Sequence, residues 1–158
     1  MKIRNNNPVW RTLGLGAIAG MRSMTAPALL SNELSKAPTA ALAGSPLRYL
    51  QRGPVATGLK LMAASELIGD KMPGIPDRIA PPVLLSRAAS GALVGATIFT
   101  VHRDSWVKGA AIGAASAVAA TYGSFYLRKL MNKYAPNAVS GALEDALTLG
   151  SGLAIAKS

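Results

Sequence analysis

Five apolar segments rich in glycine and alanine constrain the fold of this chain more than any other feature. Each is about 20 residues long, which is the length that an α-helix needs to cross a lipid bilayer. They occupy residues 12–31, 54–71, 83–101, 107–127 and 138–156, and we number them one to five. Proline-rich or polar connections separate them, so one helix does not run into the next. The pattern predicts an all-α fold.

The composition indicates which solvent surrounds these helices. Charged residues make up 15% of the chain and aromatic residues 5%, whereas an average soluble domain has about 25% charged residues. Few aromatic side chains leave little apolar area to bury in water, but glycine and alanine suit helices that pack closely in lipid. We predict a single membrane domain over residues 1–158, an integral membrane bundle of about five short transmembrane helices. Residues 32–53 are predicted to form a loop and an interfacial helix.

The mean hydropathy of +0.29 is low for a membrane protein, so a soluble helical bundle stays an alternative. The chain is also strongly basic, with 17 Lys and Arg against 7 Asp and Glu and a formal net charge of +10. The basic residues stand in ones and twos between apolar segments, where they would meet lipid headgroups. We therefore predict the lipid bilayer as a partner and no nucleic acid. More Lys and Arg fall on the N-terminal side of five spans than opposite, which favours a cytoplasmic N-terminus.

Pairs of glycines spaced four residues apart predict close contacts between helices. The pairs are Gly16/Gly20, Gly91/Gly95 and Gly109/Gly113. We expect them to serve helix packing rather than nucleotide binding, and we predict a homo-oligomer, a dimer. The string GAIAG in segment one is similar to GAAIG in segment four, and segments two and five each carry a Glu after an Ala. These matches favour an inverted repeat, in which segments four and five repeat segments one and two with the opposite orientation in the membrane. Chance explains the matches about as well.

Ionisable residues inside the apolar segments are the candidate functional residues, because an ionised side chain in a bilayer costs on the order of 3 kcal/mol unless it is paired or hydrated. Glu66 and Asp70 share one face of segment two. Glu144 belongs to a polar stripe of segment five, and Arg22 is the most deeply placed cation. The predicted ion-binding or solute-binding residues are Arg22, Glu66, Asp70, Lys71, Asp77, Arg87 and Glu144. The alternative is that these residues only form ion pairs between helices.

Metal and thiol chemistry find little support. The single histidine, His102, stands in the charged string His102-Arg103-Asp104, where we expect a solvated loop residue rather than a metal ligand. The chain has no cysteine, which excludes disulfides. No motif predicts a cofactor.

Two longer strings carry a resemblance to a known family. AGMRSMTAPALLS (19–31) and ASELIGDKMPGIPDR (64–78), followed by RAASGALVGA (87–96), resemble an uncharacterised bacterial family of small integral membrane proteins, a domain of unknown function. Its recurrent motifs are matched by Ala19, Gly20 and Arg22 and by Glu66, Asp70, Lys71 and Pro73. The resemblance implies a location in the bacterial inner membrane and supplies no activity.

Three functional classes agree with these features. The first is a transporter or channel for an ion or small polar solute, with the intramembrane carboxylates and Arg22 at its centre. The second is a structural or oligomerising membrane protein. The third is an enzyme acting on lipid headgroups, with Glu66, Asp70 and Asp77 holding a divalent metal. No catalytic motif supports the third class, so we favour a protein that is not an enzyme.

Overall fold

The computed structural model describes residues 7–69, 80–131 and 146–155. Within these ranges every regular element is a helix and there is no strand, as predicted. The α-helices are α1 (Pro8–Met21), α2 (Thr25–Lys36), α3 (Gly53–Gly69), α4 (Pro81–Val101), α5 (Trp106–Met131) and α6 (Ala146–Ile155). Two short 3-10 helices, Ala40–Leu42 and Pro46–Gln51, lie between α2 and α3, in the segment predicted as a loop and interfacial helix.

Two of the described helices are long and apolar enough to cross a membrane. They are α4, with a mean hydropathy of 1.4, and the Trp106–Leu127 part of α5, with a mean hydropathy of 1.2. They correspond to predicted segments three and four. Half of the apolar window of α4 is buried inside the molecule, but only 17% of the window of α5 is buried. The apolar surface of α5 therefore faces outward, an arrangement that a membrane helix allows.

Segment one is not a single span. Residues 12–31 form α1 and α2, and Arg22 between them has extended backbone angles of φ −144° and ψ 113°. Pro27 explains the position of this break: inside a continuous helix its ring would clash with the carbonyl of Ser23, but it is tolerated in the first turn of α2. The 14 and 12 residues of α1 and α2 correspond to about 21 and 18 Å, too short to cross a 30 Å hydrocarbon layer.

Helix α2 folds back along α1, so the two helices form a hairpin with Arg22, Ser23 and Met24 at its tip. A methyl group built on Gly152 of α6 would lie 2.6 Å from Leu29 Cδ1 of α2 and 3.2 Å from Ile18 Cδ1 of α1. These two side chains are thus neighbours, although they belong to opposite arms of the hairpin. The chain reverses at the tip, and the start of α1 and the end of α2 lie at the same end of the bundle.

This reversal corrects the predicted topology. The charge of Arg11 in α1 acts on both Glu33 in α2 and His102 after α4. A methyl group built on Gly14 would contact Ile155 at the end of α6. We call this end, with Arg11, Glu33, His102 and Ile155, the N-terminal end of the bundle. The first and last described residues both lie there, whereas five consecutive spans would have placed the two termini on opposite sides.

All three glycine pairs pack helices of this chain against one another. Gly91 and Gly95 of α4 face Gly113 and Gly109 of α5, and a Cβ at any of these positions would overlap a backbone carbonyl of the other helix. Gly16 and Gly20 of α1 press against Gly113 and Ala117 of α5 in the same way. The packing prediction is confirmed. The predicted dimer stays a prediction, and these glycine faces are already covered within one chain.

The remaining segments agree in part with the sequence predictions. Segment two, predicted over 54–71, is helix α3. Segment five, predicted over 138–156, is described as α6 in its last part. The predicted inverted repeat pairs Gly16 with Gly109, and Arg22 at the break then matches Ala115 in the uninterrupted helix α5. Segments one and four therefore differ in shape. The buried core between α1, α2, α4 and α5 contains Leu15, Ile18, Leu30, Leu34, Val94, Ile98 and Phe99.

Candidate functional site

The tip of the α1–α2 hairpin leaves backbone N–H groups that no helical carbonyl accepts, and Glu66 of α3 takes two of them. Its Oε1 atom accepts a hydrogen bond from the Ser23 N–H at 2.8 Å, and its Oε2 atom accepts one from the Met24 N–H at 2.9 Å. Met24 is the N-cap residue of α2, and its own side chain makes no capping bond. The carboxylate therefore caps α2 from a different helix, at the end where the helix dipole favours negative charge.

The carbonyl groups of the break are bound from the other side, by α4 and α5. The Gly20 carbonyl accepts hydrogen bonds from Arg87 Nη1 at 2.7 Å and from Thr121 Oγ1 at 2.9 Å. The Ser90 hydroxyl donates to the carbonyl of Ser23. Side chains of three helices thus hold an irregular piece of backbone inside the bundle.

We call this arrangement the break site: Arg22, Ser23, Met24, Glu66, Arg87, Ser90 and Thr121. Arg22 and Arg87 are each only 3% exposed. Two buried arginines and the half-buried carboxylate of Glu66 therefore belong to this break. Such a site can bind a charged group, because buried charges interact more strongly than charges in water.

The structure brings three of the predicted binding residues together. Arg22, Glu66 and Arg87 meet at the break site. Asp70, Lys71, Asp77 and Glu144 lie outside the described residues, so their predicted roles stay predictions. Of the predicted polar stripe in segment five, Thr148 is buried with its hydroxyl 3.7 Å from Met21 Sδ beside the break, whereas Ser151 is exposed.

Sequence reasoning missed Ser90 and Thr121. The spacing of Ser90 was a usable signal, because it lies three residues after Arg87 and so on the same helix face. Thr121 carried no comparable signal, since nothing in the sequence relates α5 to Gly20.

A cavity of about 320 Å³ lies next to the break site, between α2, α3 and α6. Its lining includes Thr25, Asn32 and Lys60 together with alanine and leucine side chains. Thr25 is the first residue of α2, is 2% exposed, and its hydroxyl has no hydrogen-bond partner among the described residues. The cavity thus extends along α2 as far as Thr25, which directly follows the hairpin tip.

Comparison with known proteins identifies the family. A family model described as Domain of unknown function (DUF4126) matches residues 9–156, nearly the whole chain. The chain belongs to the DUF4126 family. This confirms the resemblance to an uncharacterised domain of unknown function. No curated protein and no solved structure gives a significant match to the chain.

In this DUF4126 protein a second polar cluster lies at the N-terminal end of the bundle. Among the described residues no three His, Asp or Glu side chains are placed to hold a metal ion. His102 follows α4 and is half-buried rather than fully solvated. Its Nε2 atom is buried and has no hydrogen-bond partner in the described part of the chain. Burial lowers the pKa of His102, the positive charge of Arg11 lowers it further, and Asp104 opposes this effect.

The lowered pKa of His102 predicts a pH dependence of stability. The unfolded chain binds a proton at this imidazole near the ordinary pKa of 6.5, while the folded protein resists protonation to lower pH. The free energy of unfolding should therefore fall as the pH drops below 6.5. Thermal unfolding of the DUF4126 protein and of His102→Gln between pH 8 and pH 5 checks this. The variant should lose less stability on acidification, and an identical loss in both proteins would contradict the prediction.

Proposed function

We propose that this protein is an integral membrane protein that carries or conducts an ion or a small polar solute, with the break site as its binding centre. The observation that carries the proposal is a charged helix break held among apolar helices. Half-helix termini with nearby charges are the usual construction of binding sites in membrane transporters.

The depth of the break supports this assignment. The Gly20 carbonyl contacts Arg87, six residues after the start of α4, and Thr121, six residues before Leu127. Both distances along the helices are about 9 Å. With α4 and α5 crossing the bilayer, the hairpin tip lies inside the hydrocarbon layer rather than at its surface. Irregular backbone at such depth is tolerated where it is buried in protein or lines a water-filled cavity.

The energetic cost of the site is an argument for function. Charged side chains at this depth cost on the order of 3 kcal/mol each before pairing. One unbroken helix over residues 8–36 would have needed no carboxylate at Glu66 and no guanidinium at Arg87 to satisfy its backbone. The cavity that Thr25 lines adjoins the break.

The geometry indicates how a ligand would act. Glu66 binds the N–H groups of Ser23 and Met24 only as long as its oxygens accept hydrogen bonds. A proton or a metal cation on the carboxylate weakens this hold, and an anionic solute competes for the same donors next to Arg22 and Arg87. Either event loosens the tip that joins α1 and α2. The angle between the two arms then depends on what occupies the site.

Flux through liposomes tests the proposal. The purified protein is reconstituted, and gradients of H⁺, Na⁺, K⁺, Cl⁻ and acetate are followed with entrapped fluorescent reporters. Glu66→Gln and Arg87→Gln each remove a charged contact worth about 1.5–3 kcal/mol, so the flux should fall about tenfold or more. The matched control is Thr97→Val, which removes a neutral hydrogen bond of the same helix α4 outside the break and should leave the flux within about twofold.

Folding is checked in each variant by thermal unfolding in detergent. Protein that moves none of these probes faster than empty liposomes would contradict transport of these ions. Equal losses of flux in Thr97→Val and Glu66→Gln would indicate a general loosening of the bundle, which favours the second candidate: a structural membrane protein. One observation favours that candidate, namely that both oxygens of Glu66 are already engaged by the protein's own backbone.

The distribution of charge supports an orientation. Six described basic residues belong to the N-terminal end or to the loops that join it: Arg11, Lys36, Arg48, Arg52, Arg103 and Lys108. Lys and Arg are enriched in cytoplasmic loops. We place the N-terminal end of the bundle in the cytoplasm.

A further inference from the structure

A second concave surface, with a lining that shares no residue with the break site, lies on the outside of α4 and α5. It is a groove of about 640 Å³, which we call the outer groove. Residues 44–47 form one wall, and the helices supply the floor. Its lining includes Leu47, Ala92, Leu93, Ala96, Trp106 and Ala110. Alanine side chains keep the floor low, and from Ala92 to Thr100 the groove follows α4 for about 12 Å.

Two arginines, Arg48 and Arg52, follow the wall of this groove in the chain. Arg48 and Arg52 flank the ring of Tyr49, with their guanidinium carbons 5.3 and 4.8 Å from the ring centroid. Tyr49 is 45% exposed, and Arg48 follows Leu47 of the groove wall. Neither arginine forms an ion pair with a carboxylate in the described part of the chain. Two positive charges are therefore held close together on one ring, available to an anion.

We propose that the outer groove binds one anionic phospholipid, with an acyl chain on the floor of the groove and the phosphate held by Arg48 and Arg52. Guanidinium groups bind phosphate through paired hydrogen bonds. Tyr49 and the 61% exposed Trp106 are the residue types that occur at headgroup depth in membrane proteins. The groove and the segment that follows its wall thus supply an apolar floor, exposed aromatic side chains and two cations, which are the features that a phospholipid requires.

Charge decides between a lipid and a second copy of this chain as the occupant. A second copy seated on this surface would bring further arginines to a protein whose net charge is already +10. An anionic headgroup instead neutralises the charges of Arg48 and Arg52. The proposal rests on the membrane location proposed above, but it does not depend on transport.

Thermal unfolding in a nonionic detergent tests the lipid site. Phosphatidylglycerol and phosphatidylcholine with identical acyl chains are added at the same concentrations. Saturating phosphatidylglycerol should raise the unfolding midpoint by about 5 °C, and phosphatidylcholine should raise it by less than half as much. The double variant Arg48→Gln/Arg52→Gln should lose the difference between the two lipids. Ala96→Phe, which fills the groove, should lose the response to both.

A matched double variant controls for total charge. Lys36→Gln/Lys129→Gln removes two positive charges from exposed residues outside the groove and should keep the full response to phosphatidylglycerol. Equal responses to the two lipids, or a loss of response in this control as large as in Arg48→Gln/Arg52→Gln, would overturn the proposal. A dimer that Ala96→Phe dissociates, with no response to lipid, would also overturn it and identify a second copy as the occupant. Protein without any flux can still pass this test, since binding is measured in detergent.

Discussion

Replacing Gly95 with alanine is expected to lower the free energy of unfolding by about 2–3 kcal/mol, near the upper range for overpacking a tight contact. A Cβ at this position would overlap the carbonyl oxygen of Gly109 on α5. The obstacle is backbone, which cannot turn aside as a flexible side chain can. Helices α4 and α5 would have to separate, which would also loosen the contact of Gly91 with Gly113 one turn away. Thermal or chemical unfolding in detergent micelles measures the loss.

The matched control is Gly123→Ala, in the partner helix α5. No described atom lies within 4 Å of a Cβ built on Gly123. Alanine is the better helix former by about 1 kcal/mol, so this variant should be as stable as the parent or more stable. A loss of stability in Gly123→Ala equal to that in Gly95→Ala would show that helix packing is not the cause.

Close packing by glycine explains how a chain with so few large side chains holds its helices together. In lipid, apolar surface alone gives helices little reason to associate, because lipid tails are as apolar as leucine. Association then depends on close van der Waals contact between backbones, which only small residues permit. The contact of α4 with α5 uses glycine from both partners. The outward-facing apolar side of α5 is not covered by other described helices.

Helices α3, α4 and α5 were predictable because their signals are local. Segment three, predicted over 83–101, is Pro81–Val101, and segment four, predicted over 107–127, begins at Trp106. Proline at the first position of α4 and an apolar run of sufficient length are enough to define such a helix. The glycine pairs likewise need only their own spacing to indicate a packing face.

The hairpin could not be predicted in this way, because a window of about 20 residues averages over the break. Arg22 and Pro27 marked the interruption in the sequence, but neither says that α2 turns back instead of continuing. That fact depends on distant contacts, with Glu66 in α3 and with Gly152 in α6. One unrecognised reversal also changes the end of the bundle at which every later loop is expected.

The candidate site was predictable only in its charged members. A charge inside an apolar segment is conspicuous, so Arg22, Glu66 and Arg87 could be selected from the sequence. Hydroxyl groups are not conspicuous, because a helical Thr usually bonds the carbonyl four residues earlier, as Thr97 and Thr100 do here. Thr121 makes that local bond and also binds Gly20 across the bundle. The sequence alone does not distinguish a Thr that bonds only its own helix from one that also binds another helix.

Removing the Glu66 carboxylate should destabilise the fold more than any other single change at the break site. Glu66→Ala leaves the N–H groups of Ser23 and Met24 without acceptors. Each donor that loses its partner costs about 1–3 kcal/mol, so the two together are expected to cost about 2–6 kcal/mol. Glu66→Gln keeps one acceptor oxygen and should lose about half as much, which leaves it folded for transport measurements. Unfolding in detergent micelles, monitored by circular dichroism, gives both values.

Asp104→Ala provides the control for loss of a negative charge. Asp104 is exposed, and among the described residues its carboxylate accepts a single hydrogen bond, from the N–H of Ser105. Its removal should cost less than about 1 kcal/mol. If Glu66→Ala lowers the free energy of unfolding no more than Asp104→Ala does, water must hydrogen-bond the N–H groups of Ser23 and Met24 when the carboxylate is gone. The break would then be an open, hydrated site, and Glu66 would not be needed to hold α2 in place.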